Sequence, residues 1–213
     1  MKIGMVQLDS GADVEANLAQ AEAGVRDAAS RGAAFVALPE VMHLRVGRSQ
    51  SRRYLDHAEA IPGPTTERFS ALAKSLGVTL LLGSIGERSD DPDRTYNTSV
   101  LIGPDGARLA SYRKVHLFDV QVDEINGDRE SERYLPGNDI VCVELPEVSV
   151  GLSICYDLRF GELYRALALR GAGIVTVPAN FTKATGAMHW LTLLRARAIE
   201  NGLFVVAPAQ CGA

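Results

Sequence analysis

The sequence predicts an α/β fold, and three observations carry that prediction. Short apolar runs rich in β-branched residues alternate with amphipathic stretches along nearly all of the 213 residues. Glycines close the amphipathic stretches, as they close helices. Pro104-Asp105-Gly106 then joins two of the apolar runs with good hairpin chemistry, so the sheet is expected to be mixed and not wholly parallel.

In order along the chain, residues 2–8 read as a first strand. Val14, Leu18, Ala21, Val25 and Ala28 next fall on one helical face that Gly32 closes. A second strand is expected at 33–38. Phe69, Leu72, Ala73 and Leu76 make a second apolar stripe before Gly77, followed by strands at 78–85, 98–102 and 108–113. From about Asp119 to Pro136 the chain is strongly charged and without periodicity, and irregular loops of that length inside a domain are often functional. Strands at 148–154, 173–177 and 203–207 alternate with helical stripes at Leu163, Ala166 and Leu167 before Gly171, and at Trp190, Leu191, Leu194 and Ala198 before Gly202.

A hydrophobic fraction of 46% and a charged fraction of 23% fit one folded domain spanning residues 1–213. The net charge of −4 offers no basic field for nucleic acid. No apolar stretch approaches the roughly 20 residues of a membrane span, and the N-terminus lacks a signal-peptide pattern, so a cytoplasmic location is expected. Cys142, Cys155 and Cys211 are widely spaced, which suggests neither a disulfide framework nor a zinc knot. His43, His57, His116 and His189 show no metal-ligand spacing, and His116 reads as a hydrogen-bonded structural residue. The Arg-rich stretch 45–53 reads as a solvated flank.

Ligand sites in open α/β sheets lie beyond the carboxyl ends of strands. Three reactive side chains are expected there: Glu40 after strand 33–38, Lys114 after 108–113 and Cys155 after 148–154. Singly, each has a plain structural reading, as a strand-end carboxylate, an edge ammonium and a small packed thiol. Together they can supply a base, an electrostatic stabiliser and a nucleophile. Burial is expected to raise the Glu40 pKa, and the lysine to favour the thiolate.

The blocks ALPE (37–40), YRKVHLFDV (112–120), ICYDLRF (154–160) and HWLTLLRARAIEN (189–201) resemble the nitrilase superfamily of carbon–nitrogen hydrolases over almost the whole chain. FxxxTGxxHW (181–190) and AQCG (209–212) are similar to its Nit branch, which includes omega-amidases and deaminated glutathione amidases. The resemblance implies a four-layer α-β-β-α sandwich and amide hydrolysis without a cofactor. It assigns Cys155 as nucleophile, Glu40 as general base, Lys114 as stabiliser of the tetrahedral intermediate and the Tyr156 N–H as oxyanion donor. Glu130 matches a second glutamate that members place by the lysine; its other reading is an exposed charged loop. Arg159 is expected either to grip a substrate carboxylate or to form an internal ion pair with Asp157 or Glu162. Phe181 and Thr185 match pocket positions, and Met188 stands where a smaller residue is usual and is expected to reshape that pocket.

The resemblance also implies further strands beyond the AQCG block, which are expected to be missing from a chain that ends at Ala213, and a homodimer or higher oligomer when they are present. Its expected partner is a small-molecule amide, with a nitrile or an N-carbamoyl compound as alternatives. Two other readings are a non-catalytic binding member of the superfamily and a thiol redox protein; the second lacks a resolving cysteine near Cys155.

Overall fold

Strand and helix alternate as the periodicity requires in the computed structural model, which describes residues 1–121 and 127–212. The N-terminal part runs β1 (Ile3–Met5), α1 (Val14–Ser30), β2 (Phe35–Ala37), α2 (Arg52–Asp56), α3 (Pro64–Leu76), β3 (Thr79–Glu87), β4 (Thr95–Ile102) and β5 (Arg108–Arg113). Then come β6 (Asp119–Gln121), β7 (Gly127–Arg129), β8 (Tyr134–Leu135), β9 (Cys142–Glu144), β10 (Ser149–Leu152), α4 (Gly161–Leu169), β11 (Ile174–Thr176), α5 (Lys183–Asn201) and β12 (Phe204–Val206). Local chemistry sets the helix ends. Asp13 caps α1 by accepting from the Ala16 N–H, Pro64 opens α3, and Gly77 and Gly202 end α3 and α5 in the left-handed conformation.

One sheet has the order β1-β2-β3-β4-β5, with β8 beside β4; β1 to β3 are parallel and β3 to β5 antiparallel. The second has the order β12-β11-β10-β9, parallel except for β9. The expected Gly106 turn, with φ +85°, makes the β4–β5 hairpin. The strand period of two assigns the layers. Val36, Leu80 and Leu82 pack under α1 and α3 with Leu18, Val25 and Phe69, whereas Phe35, Ala37 and Leu81 face Val150, Leu152 and Ile174 of the other sheet. On the far side Val175 and Val177 meet Leu163 and Leu167 of α4 and Leu194 of α5. The result is the expected α-β-β-α sandwich. No helix among the described residues is long and apolar enough to cross a membrane.

Two expectations need correction. The strands expected at 2–8, 33–38, 148–154 and 173–177 pair regularly over only three or four residues, and their apolar ends run on into the strand-end turns that carry the site. The stretch from Asp119 to Pro136 is not irregular where described: β6 pairs with β7, a 3-10 turn spans Glu130–Glu132, and β8 joins the first sheet. Strands of two or three residues are too short to show a period, which also hid β9. Residues 122–126 of that stretch lie outside the described residues. β12 ends its sheet, with Phe204 exposed.

Gly83 in β3 lies directly beneath the turn that leaves β2. A Cβ there would collide with the backbone oxygens of Leu38 and Pro39. Overpacking against backbone costs about 1–3 kcal/mol. Gly83→Ala should therefore lower the melting temperature by roughly 3 °C or more in a chain of this size, and a calorimetric Tm equal to wild type would refute the close approach.

Candidate active site

Each reactive side chain occupies a turn just beyond a strand. Glu40 follows β2 through Pro39, and the next residue, Val41, has φ +50°, unusual for a β-branched residue. Ser84 holds that turn: its Oγ accepts from the Val41 N–H at 2.9 Å and its carbonyl from the Met42 N–H at 3.2 Å. Lys114 follows β5, donating its N–H to the Asn97 carbonyl and accepting at its own carbonyl from the Gly137 N–H. Cys155 follows β10 with φ +47°, and its N–H donates to the Pro178 carbonyl at 2.9 Å. Glu130 begins the 3-10 turn after β7.

These four groups meet. The Lys114 Nζ lies 2.9 Å from Glu40 Oε1 and 2.8 Å from Glu130 Oε2, and the three side chains are almost completely buried. Asn97 Nδ2 donates to both carboxylates, at 3.0 Å to Glu40 and 3.3 Å to Glu130. Glu40 Oε2 accepts from the Asn180 N–H at 2.7 Å, and Glu130 Oε2 from the Phe118 N–H at 2.7 Å. The Cys155 thiol joins this cluster: it lines the same cavity as Glu40 and Lys114, and the Glu40 charge acts on it. Burial of Glu130 removes its reading as an exposed loop residue.

The electrostatics correct one expectation. Burial alone would raise the Glu40 pKa, but the Lys114 charge and the hydrogen bonds from Lys114, Cys155 and Asn180 hold it below the ordinary carboxylate value. Lys114 is pushed well above its ordinary value, because Glu130 and Glu40 outweigh its desolvation. Cys155 is raised well above a normal thiol, first by burial and next by the negative charge of Glu40, with Lys114 opposing. The resting site therefore holds a thiol beside a carboxylate, and the lysine alone does not make a thiolate.

The strained nucleophile turn is held from below by Asp157, which is fully buried. Its carboxylate accepts from the Tyr112 hydroxyl at 2.7 Å and from the N–H groups of Ile154 and His116 at 2.9 and 3.0 Å, and it pairs with His116 Nδ1 at 2.7 Å. His116 is thus the hydrogen-bonded structural residue expected.

A cavity of about 140 Å³ opens over Cys155, lined among others by Glu40, Lys114, Tyr156, Phe181 and Thr185. Arg159 stands just behind this wall, its guanidinium 5.6 Å from the Tyr156 ring and 5.8 Å from the Phe181 ring. It donates to His189 Nδ1 at 3.0 Å. The alternative reading, an ion pair with Asp157 or Glu162, does not form; the Asp157 carboxylate is taken by the donors above. Met188 is 64% exposed on α5 and does not line this cavity, which corrects its expected effect on the pocket.

Sequence reasoning missed Asn97, Asn180 and Asp157. Asn97 had a signal: an asparagine inside a β-branched run is out of place in a strand unless its amide is used. Asn180 sits beyond β11, where the strand-end rule that found Glu40 also points. Asp157 stands in the motif, where its neighbour Arg159 suggests only an ion pair.

The field around the thiol yields a test. Glu40→Gln removes the negative charge beside Cys155 while Lys114 stays, so the thiol pKa falls and thiolate forms at lower pH. When iodoacetamide incorporation at Cys155 is followed by mass spectrometry against pH, the midpoint should move down in the variant. A midpoint that stays or rises would show that Glu40 does not raise the thiol.

The carbon–nitrogen hydrolase family matches residues 2–213. Human omega-amidase NIT2 is 38% identical over 204 residues, covering 96% of this chain and 72% of that protein. The crystal structure of Saccharomyces cerevisiae Nit3, from branch 10 of the nitrilase superfamily, superposes with a TM-score of 0.87 at 32% identity, covering 99% of this chain and 76% of that one. A glutamate-to-glutamine variant of an amidase from Nesterenkonia sp. AN1, which shows Michael addition of acrylamide at its active-site cysteine, superposes with a TM-score of 0.79 at 27% identity, covering 100% of this chain and 79% of that one. The chain belongs to the carbon–nitrogen hydrolase family, within the nitrilase superfamily.

Proposed function

We propose that the protein hydrolyses small ω-amides that carry a carboxylate, of the α-ketoglutaramate or deaminated-glutathione type, through a thioester on Cys155. The observation that carries this reading is the buried Cys155 thiol lining one cavity with a carboxylate, Glu40, that Lys114 holds at 2.9 Å. The similarity to omega-amidase supports the substrate class.

In this mechanism the Glu40 carboxylate takes the thiol proton as Sγ bonds to the amide carbon, and the carbonyl π pair moves onto oxygen. Lys114 and the Tyr156 N–H stabilise that oxyanion; the amide of Tyr156 lies in the first turn of a 3-10 segment, where N–H groups have no intrahelical acceptor. Collapse breaks the C–N bond and protonated Glu40 returns the proton to the leaving amine. Glu40 then deprotonates water, which attacks the thioester carbon; the thiolate departs, regains the proton, and the acid is released. Glu130 holds Lys114 against Glu40 throughout. Arg159, which has no carboxylate partner among the described residues at its position behind Tyr156 and Phe181, is the candidate grip for the substrate carboxylate, with Phe181 and Thr185 shaping the acyl pocket.

Ammonia release should be screened across α-ketoglutaramate, deaminated glutathione, simple nitriles and N-carbamoyl compounds. The reading expects turnover of the acidic amides; no turnover of any member would favour a non-catalytic binding role. Cys155→Ala should abolish turnover with an unchanged melting temperature, and Glu40→Gln and Lys114→Ala should each lose on the order of 10²-fold or more in rate. Arg159→Lys should raise KM for acidic amides and spare neutral ones, because the charge stays while the planar fork is lost. Equal effects on both substrates would remove Arg159 from substrate binding.

A further inference from the structure

One ion pair lines the same cavity without touching the reacting groups: Arg133 with Asp128. The Arg133 Nη1 and Nη2 lie 2.8 and 2.6 Å from Asp128 Oδ1 and Oδ2, the planar two-pronged arrangement that restrains both partners most. Its partners are only partly exposed, with 21% and 28% of their side-chain surfaces in solvent. What the pair encloses gives it a role. Asp128 lies in β7 two residues before Glu130, which opens the 3-10 turn Glu130–Glu132, and Arg133 follows that turn directly, so the bridge closes a ring of backbone around Glu130.

Further contacts fix the same ring. The Arg133 N–H donates to the Glu130 carbonyl at 3.1 Å, and the Arg133 carbonyl accepts from the Thr95 N–H at 3.0 Å, tying the turn to β4 next to Asn97. On the other flank the Asp119 carboxylate accepts from the Ser131 N–H and hydroxyl at 3.0 and 2.6 Å. The guanidinium lies near two aromatic rings, 5.8 Å from Tyr54 and 5.7 Å from Tyr134. A single 3-10 turn has poor hydrogen-bond geometry and is not rigid by itself. Yet the Glu130 carboxylate must stay within 2.8 Å of Lys114 Nζ.

We propose that Arg133, acting through Asp128, is a positioning residue that clamps the Glu130 turn and thereby holds Lys114 in register with Glu40. The proposal rests on the reading above in which Glu130 supports Lys114 during amide hydrolysis. A direct grip on a substrate anion is the competing role for a guanidinium lining the cavity. Against it, both terminal nitrogens are already engaged by one carboxylate, which offsets the charge a substrate would seek.

The test is a double-mutant cycle on the full chain, reading kcat and KM for ammonia release from an acidic amide. Arg133→Met should lower kcat on the order of 10-fold with KM nearly unchanged, since misplacement of a supporting group slows chemistry more than binding. Arg133→Lys, which keeps the charge and one hydrogen bond, should recover part of the loss. Glu130→Gln with Arg133→Met together should be no slower than Glu130→Gln alone, because the second change acts only through the first. Where Arg133→Met fails to fold by calorimetry, the isosteric Asp128→Asn replaces it in the cycle with the same expectation. Independent losses that multiply, or a rise in KM for acidic amides with kcat intact, would overturn the proposal and make Arg133 a substrate contact. Wild-type kcat in Glu130→Gln would overturn it as well, while inactivity of Cys155→Ala would show separately that the hydrolase reading stands.

Discussion

The Lys114 ammonium group is almost sealed from solvent, so it must find its counter-charge and its acceptors inside the protein. Withdrawing an ion from water costs several kcal/mol even after relaxation, and leaving it unpaired costs about 3–5 kcal/mol. Glu40 and Glu130 answer the charge, but each then carries its own unmet acceptors. Those are filled by the Asn97 amide and by the Asn180 and Phe118 N–H groups. Two carboxylates against one ammonium leave an excess of one negative charge, which adds to burial in keeping the neighbouring thiol protonated. Passing the proton from Cys155 to Glu40 changes no net charge in the cluster. The proposed first step therefore needs no ion to enter or leave the buried site.

Meeting that demand constrains the backbone. Val41 and Cys155 are the only non-glycine residues among those described with positive φ, and they adjoin or constitute the two groups that must exchange a proton. Such conformations cost on the order of 1–3 kcal/mol each and persist only when the surroundings over-determine them. Ser84 does this for the first turn, and Asp157 with its ring of donors for the second. Strain is thus concentrated at the site and carried by buried hydrogen bonds below it.

What the residues revealed in advance follows from the range of the interactions involved. Apolar periodicity and glycine stops are local, so the main strands, the four longer helices and the strand-end positions of Glu40, Lys114 and Cys155 were legible. Short strands such as β7 and β8 left no period to read, although they carry Glu130 into place. The sign of the Glu40 shift could not come from burial alone, because burial is opposed chiefly by Lys114 and to a lesser extent by the Asn180 N–H, both distant in sequence. Arg159 illustrates the same limit: two acidic neighbours along the chain suggested an ion pair, but the fold spends Asp157 on Tyr112 and His116.

The groups of the site come from both sheets, and this sets how it is kept aligned. Glu40 and Lys114 leave β2 and β5 of one sheet, while Cys155 and Asn180 leave β10 and β11 of the other. The apolar layer between the sheets, with Phe35, Leu81, Val150 and Leu152 at its centre, is non-directional and would tolerate a small slide. Directional bonds across the seam remove that freedom. The Asn180 N–H reaches Glu40, the Tyr112 hydroxyl and His116 reach Asp157, and the Gln210 amide donates to the Glu40 carbonyl at 3.0 Å while its oxygen accepts from the Ser10 N–H. Four of these contacts end on Glu40 or on the segment that carries Cys155. The seam is therefore locked most tightly at the two residues between which the proposed proton transfer occurs, and a shift of the sheets elsewhere reaches the site only by breaking buried hydrogen bonds.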